Sequence, residues 1–410
     1  MSQITGKKQN IIETRDGATG DYAFTDKYPV SVSGQRKTVL HKSGLLITAF
    51  YTKPAKIGLA YSKDNGETWE VRPDIFAGFA IPGMQNAFNP ALATDRDGVV
   101  HMAFRAFGPD TAPYAFIWYA KSKDGVEWSK PMLLPPVNGQ NFYHGYPVIG
   151  SGPKNEVYIA FDFTGDLYLA RSLDGGKQWA PLKQITQYGN EDTRPSMVVD
   201  KDGVIYLAYS TYGYLYCLKG QGQGENWQRR KIFGSERVGG HYPSIALDNK
   251  QKPVIAYRAF SGGLGPDVYR GIHIHRQVND WTNAWNEYVI DTVYTTTMDA
   301  HTPSLAITRE GMAQLTYIRS IEQNSVPWQK WAKDIVFSQS KNWVDWTAFQ
   351  QITESHDGQF GPQVWPNLYW QPNAPAKGGF LVVWDGKDEK AELPSQPWFA
   401  RSFCTPDFKV

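Results

Sequence analysis

"GHYPSIALDNKQKPVIAYRAF", residues 240–260, sets two short apolar runs around a polar turn, with His241 and Tyr242 before the first run and Arg258 closing the second. The alternating Ile, Ala, Leu and Val positions are what a half-buried hairpin needs. The polar residues at its open end are not required by the strands. The pattern recurs along the chain as "YPVSV...GLLITAFYT" from Tyr28, "NPALATDRDGVVHMAFRAF" from Asn89, "YPVIGSGPKNEVYIAFDF" from Tyr146 and "RPSMVVDKDGVIYLAYSTY" from Arg194. After the copy at Tyr242 it returns as "TPSLAITREGMAQLTYIRS" from Thr302 and "WPNLYWQ...GGFLVVWDG" from Trp365. Each copy opens on X-Pro, where proline can start a strand without owing the ladder a donor.

Seven such units of roughly four strands predict an all-β, seven-bladed β-propeller with four-stranded blades, forming a single domain over residues 1–410. The last unit has only three evident strands, ending in "WFARSF", while "QNIIET" near the N-terminus is an orphan strand-like run. The orphan is expected to close the last blade as its outer strand. Composition agrees: 14% aromatic residues, with 38 Gly and 26 Pro, suit short pleated strands joined by turns.

A second repeat follows several hairpins, in "YSKDNGETW", "KSKDGVEW" and "RSLDGGKQW". Ser62, Asp64, Gly66 and Trp69 have the S-x-D-x-G-x-x-W form, as do Ser172, Asp174, Gly176 and Trp179. Asp and Gly shape a turn and Trp packs beneath it. These turns resemble the Asp-boxes of sialidases and other BNR-repeat proteins. They mark a fold rather than a reaction.

Charge is nearly balanced, 42 Lys plus Arg against 40 Asp plus Glu, so nothing global steers the chain to nucleic acid or an anionic membrane. No run of about 18 apolar residues occurs. The start "MSQITGKKQNIIETRDG" carries no apolar leader core. No membrane insertion is therefore expected of the chain as given. Two cysteines, Cys217 and Cys404, make no disulfide scaffold and are read as unpaired thiols.

In a propeller the residue before the first strand and the residue after the second share one face. The pre-proline positions are Tyr28, Asn89, Tyr146, Arg194, Tyr242, Thr302 and Trp365, none of them aliphatic. The second-strand ends are Tyr51, Arg105, Asp162, Ser210, Arg258, Ile318 and Asp385, with Arg319 one residue off register and expected to point away. His144, His241 and His301 lie just outside the pre-proline ring. Converging Arg and His make a pocket for an anion, and Tyr and Trp suit the faces of sugar rings. An acidic carbohydrate is the expected partner.

Elimination at a uronic acid needs a group to neutralise the carboxylate, a base for the C5 proton and an acid for the O4 leaving group. Arg, His and Tyr supply these roles. At this point the chain resembles the seven-bladed propeller polysaccharide lyases of the ulvan lyase type, which cleave beside uronic acids linked to rhamnose. The resemblance spans the repeat series and rests on His144 in "YHGYP", Tyr242 in "HYP" and Arg258 in "AYRAF". It implies that Arg258 neutralises the carboxylate while Tyr242 and His144 exchange the protons. Where some members have a second His, this chain has Asp162 in "AFDFTG". Tyr28, Asn89, Arg105, Tyr146, Arg194, His241, His301 and Trp365 are the expected substrate-binding residues.

Two other readings use the same pocket. A sialidase-type glycoside hydrolase places several arginines on one carboxylate and needs a carboxylate acid/base, for which Asp162, Asp299 and Asp385 are available; its Arg-Ile-Pro motif is replaced here by Tyr28-Pro29. A non-catalytic sugar-binding propeller needs only the aromatics. The lyase chemistry requires no cofactor. Related propellers can hold a structural metal ion, but the sequence assigns no ligands. "GIHIHRQ" puts His273 and His275 on one strand face, where a packing role is expected, as it is for His101 in "VVHMAF". The substrate class implies a secreted or periplasmic monomer.

Overall fold

Every described element is a β-strand, and the strands fall into seven four-stranded sheets. In this computed structural model the described residues are 7–10, 34–52, 55–81, 84–107, 115–135, 145–187, 194–211, 213–235, 238–261, 270–293, 298–321, 332–353, 363–370, 380–387 and 398–405. Six sheets run in chain order from first strand to fourth. The seventh consists of Gln363–Trp370, Phe380–Lys387 and Trp398–Thr405, with the N-terminal strand Lys7–Asn10 on its outer edge. That edge pairing is antiparallel, from Lys7 opposite Cys404 to Asn10 opposite Arg401. The N-terminus thus closes the last sheet as expected, through a strand set slightly earlier than "QNIIET".

The first strand of each sheet touches that of the next, and Gln363–Trp370 returns to Thr38–Leu40, which makes the ring of a β-propeller. Alternation along each strand sends side chains to both sheet faces, so the apolar cores lie between neighbouring sheets. Leu46, Phe50 and Ala60 of the first sheet meet Leu381 and Val383 of the seventh. Between sixth and seventh, Phe337 and Phe380 stack at 4.1 Å. Ser-Asp turns join outer strands: Ser172 Oγ donates to Asp174 Oδ1 (2.7 Å) and accepts from the Gly176 amide (2.8 Å). Gly176 has φ 74°, and a Cβ there would collide with the Tyr119 hydroxyl of the preceding sheet. Trp179 packs edge-on against that same ring at 4.9 Å.

The first hairpin corrects the sequence reading. Its inner strand is Thr38–Leu40, which pairs with Leu46–Tyr51, whereas Tyr28 and Pro29 lie outside the described residues. Counted from the turn, Leu40 opposite Leu46 matches Leu247 opposite Pro253, so Gln35 occupies the position of Tyr242 and Arg36 that of Pro243. This departure blocks the axis. Gln35 is fully buried, and its Nε2 donates to Asn89 O (3.2 Å) and Pro147 O (2.5 Å) of the second and third sheets. Lys37, 1% exposed, donates from Nζ to Gln35 Oε1 (2.7 Å) and Pro90 O (2.5 Å). A Cβ on Gly34 would stand 2.9 Å from Pro195 O and 3.1 Å from Pro243 O, on the fourth and fifth sheets. Residues 34–37 therefore form a plug that touches four inner strands. A Gly34→Ala substitution should cost about 1–3 kcal/mol, because two backbone carbonyls must move. Thermal unfolding checks this.

Candidate functional site

The site grows out of one backbone irregularity repeated around the ring. His241 pairs with Arg258, Phe88 with Arg105, His301 with Ile318 and Val364 with Asp385. In each sheet the ladder then slips before resuming at Ser244, Ala91, Ser304 or Asn367. The two residues in the slip are X-Pro. A pre-proline residue normally stays extended, yet Tyr242 (φ 53°), Asn89 (52°), Thr302 (48°) and Arg194 (29°) lie at positive φ. Such conformations cost of order 1–3 kcal/mol each and persist only where the surroundings enforce them. Here the bulge re-aims one side chain per sheet.

These side chains join in an arc across four sheets. The Arg105 guanidinium lies 4.7 Å from the Phe88 ring centre and 5.5 Å from that of Tyr146. Arg194 lies 5.7 Å from Tyr146 and 4.9 Å from Tyr242. His241 sits 6.3 Å from the Tyr242 ring and 6.2 Å from Phe260, which in turn carries Arg258 at 4.8 Å. Cations and rings thus alternate, an arrangement in which each ring face offsets part of the charge beside it. Arg105 is buried, while Tyr146, Arg194, His241, Tyr242 and Arg258 are half-buried. Burial, and then the Arg258 and Arg194 charges, lower the His241 pKa below its usual 6.5. Its imidazole is therefore neutral near pH 7.

Asp162 occupies in the third sheet the register that Arg258 holds in the fifth. Its carbonyl accepts the Gly145 amide (2.6 Å) and its Oδ2 accepts that of Gly165 (3.1 Å). A Cβ on Gly145 would strike this carboxylate, so the residue after His144 must be small. His144 itself lies outside the described residues, as does Tyr28. Trp365 and Asp385 are on described strands without a described side chain, and the same holds for Asp299. Asn89 is buried with its carbonyl on Gln35, and His301 faces Ile318 across the ladder. Arg319 does point away, pairing with Asp291 (3.2 Å) and covering Phe349 at 4.2 Å.

Phe88 and Phe260 were missed as site residues; a repeated "RAF", at 105–107 and 258–260, could have signalled Phe260 and its counterpart Phe107, which packs on Phe88 at 5.6 Å. Three other histidines serve packing. His101 bridges Asp95 Oδ2 (3.0 Å) and the Tyr119 hydroxyl (2.7 Å) in full burial. His273 pairs with Glu287 (2.7 Å) and His275 with the Tyr257 hydroxyl (3.0 Å). Burial drives the His275 pKa down to about 4. Among the described residues no three His, Cys, Asp or Glu side chains gather as a metal centre would require.

No protein-family model matches the chain, and no curated protein does either. Solved structures do match. The NanB sialidase of Streptococcus pneumoniae aligns over 76% of this chain and 67% of its own, with a TM-score of 0.53 and 13% identity. The leech intramolecular trans-sialidase gives 0.51 at 13% identity over 77% of this chain and 67% of its own. An α-L-arabinofuranosidase of Fusarium graminearum gives 0.51 at 13% identity, over 77% of this chain and 92% of its own. At such identities the likeness is one of fold.

Proposed function

We propose that the protein is a polysaccharide lyase that cleaves an acidic, ulvan-like polymer beside a uronic acid linked to rhamnose. The observation that carries this reading is the arc itself: Arg105, Arg194 and Arg258 spaced by aromatic rings, with Tyr242 between Arg194 and a neutral His241. The rings suit sugar faces and the guanidinium groups a carboxylate. In the reaction a base takes the C5 proton, the C4–C5 double bond forms, the C4–O4 bond breaks and O4 takes up a proton. Arg258 neutralises the carboxylate as negative charge builds on it. Tyr242 and His144 exchange the protons, and His241, held neutral, flanks the Tyr242 ring. Tyr146, Arg194, Arg105, Asn89, His301 and Trp365 line the path of the polymer. Such a substrate places the protein outside the cytoplasm, in the periplasm or secreted.

A glycoside hydrolase on an acidic sugar is the second reading, favoured by the guanidinium groups on either side of Tyr146 and by the glycosidases that share the fold. Incubation with ulvan, glucuronan and gum arabic fractions separates the two. Ultraviolet absorbance of a 4,5-unsaturated uronate marks elimination. New reducing ends without that absorbance mark hydrolysis and overturn the lyase, and neither signal leaves a sugar-binding propeller.

The pH profile offers a further check. Because His241 is held below 6.5, the neutral form survives under mildly acidic conditions, and the acid limb of kcat/KM that it governs should fall below pH 6.5. Replacing Arg194 by Gln removes one of the charges that lower this pKa, so the limb should move toward higher pH. An unmoved limb would exclude His241 from the titration.

A further inference from the structure

We propose that the mouth-facing edge of the fourth sheet holds a second contact for an acidic polysaccharide, made by Tyr214, Tyr216 and Lys231. The inference takes its ligand class from the reading above and is independent of the reaction. The second strand of this sheet, Ile205–Thr211, ends at the mouth: Ala208 opposite Ser196 matches Ala256 opposite Ser244, which sets Ser210 at the register of Arg258. Thr211 pairs with Tyr214, so the third strand, Tyr214–Gln221, starts at that same face. The turn between them is fitted to the fifth sheet. The Gly213 carbonyl accepts the Gly240 amide (2.7 Å), one residue before His241, and a Cβ on Gly239 would stand 2.7 Å from the same oxygen. The turn carrying Tyr214 is therefore continuous with the strand carrying His241 and Tyr242.

A row of cross-strand partners leads outward from there. Tyr209 lies opposite Tyr216, and Tyr216 opposite Lys231 on the fourth strand, Asn226–Phe233. Alternation puts Arg229 on this face with Lys231 and turns Arg230 to the other, where its Nη1 donates to Trp281 O (2.6 Å). The Tyr216 ring is held by Tyr209, stacked at 5.7 Å, and by the Arg229 guanidinium 3.6 Å from its centre. Tyr214 rests on Gly234, where a Cβ would stand 2.9 Å from its Cδ1, and the Lys231 Nζ lies 4.8 Å from its ring centre. Tyr209 is buried, Tyr214 and Tyr216 are half-buried and Lys231 is exposed. The two rings are thus fixed while Lys231 is open to solvent. Its ammonium offers three donors and a full charge to a carboxylate or a sulfate ester, and the tyrosine hydroxyls can donate to those of a sugar. Three strand spacings, about 14 Å, separate the fourth strand from the first. The contact therefore engages a different sugar unit from the one held by the arc.

Affinity electrophoresis of the full chain through gels containing glucuronan, dextran sulfate or neutral dextran tests the contact. Glucuronan presents carboxylates and dextran sulfate presents sulfate esters, so the two charged gels tell the groups apart. Lys231→Gln, at an exposed position, should weaken the apparent affinity for at least one of them about threefold to fivefold, and Lys231→Arg should restore it. Added salt should weaken binding of the parent more than that of Lys231→Gln. A glucuronan disaccharide, too short to reach from the arc to Lys231, should bind parent and variant alike. Equal retardation of parent and Lys231→Gln in both charged gels overturns the proposal, and so does a parent that neither gel retards more than neutral dextran. Failure of the elimination reading is visible separately: no unsaturated uronate forms, yet retardation still depends on Lys231.

Discussion

On the elimination proposed above, replacing Tyr242 by Phe should lower the release of unsaturated uronate by about a hundredfold to ten-thousandfold, the range a positioned proton-transfer group supplies. The substitution is narrow. The ring keeps its place 4.9 Å from Arg194 and beside His241, and only the hydroxyl is lost. Binding should consequently change less than turnover: kcat falls and KM stays near its original value. The left-handed backbone at Tyr242 is also unaltered, because Phe carries the same Cβ constraints as Tyr. Circular dichroism and thermal unfolding should match the parent protein. Unchanged turnover on a substrate that the parent protein cleaves by elimination would remove Tyr242 from the proton transfers and leave the ring as a stacking surface.

Deleting residues 1–10 should lower the unfolding temperature by about 5 °C, the loss of roughly four net backbone hydrogen bonds spread over a chain of this length. The reason lies at the seventh sheet, where Lys7–Asn10 covers the outer edge of Trp398–Thr405. Without it, a row of amide and carbonyl groups faces solvent and invites pairing with a second molecule. Light scattering on warming should therefore rise earlier than in the parent. The effect is specific to this edge, since each other sheet takes its outer strand from the same stretch of chain as its inner one. A truncated protein with unchanged unfolding temperature and scattering would mean that the ring is closed by the inner strands alone.

Much of this was legible because hairpins advertise themselves through alternation, a turn and a start. Arg105 and Arg258 were placed by counting from the turn, and the ladders put each opposite the residue just before the slip in its own sheet. Tyr28 was misplaced because proline served as the anchor. The first hairpin has Arg36 where the others have proline, and Pro29 supplied a false match. Counting back from "HKSG" would have reached Gln35, as residues 41–45 and 248–252 span equal turns. The positive φ at Tyr242 and Asn89 had no sequence signal, since proline argues for the opposite conformation at the preceding residue. Glu287 as the partner of His273 was equally hidden: the two meet between adjacent strands, far from any local motif. Alternating cations and rings could be listed from the sequence, but their order around the arc depends on which sheets adjoin.

The plug at residues 34–37 also decides how a long molecule can meet this protein. A ring with an open axis resembles a bead, which a thread can enter on one side and leave on the other. Gln35 and Lys37 tie that hole shut against the second and third sheets, and Gly34 leans on the fourth and fifth. For the polymer substrate proposed above, that leaves a path across the mouth, like a cord over a drumhead, in place of one through the hole.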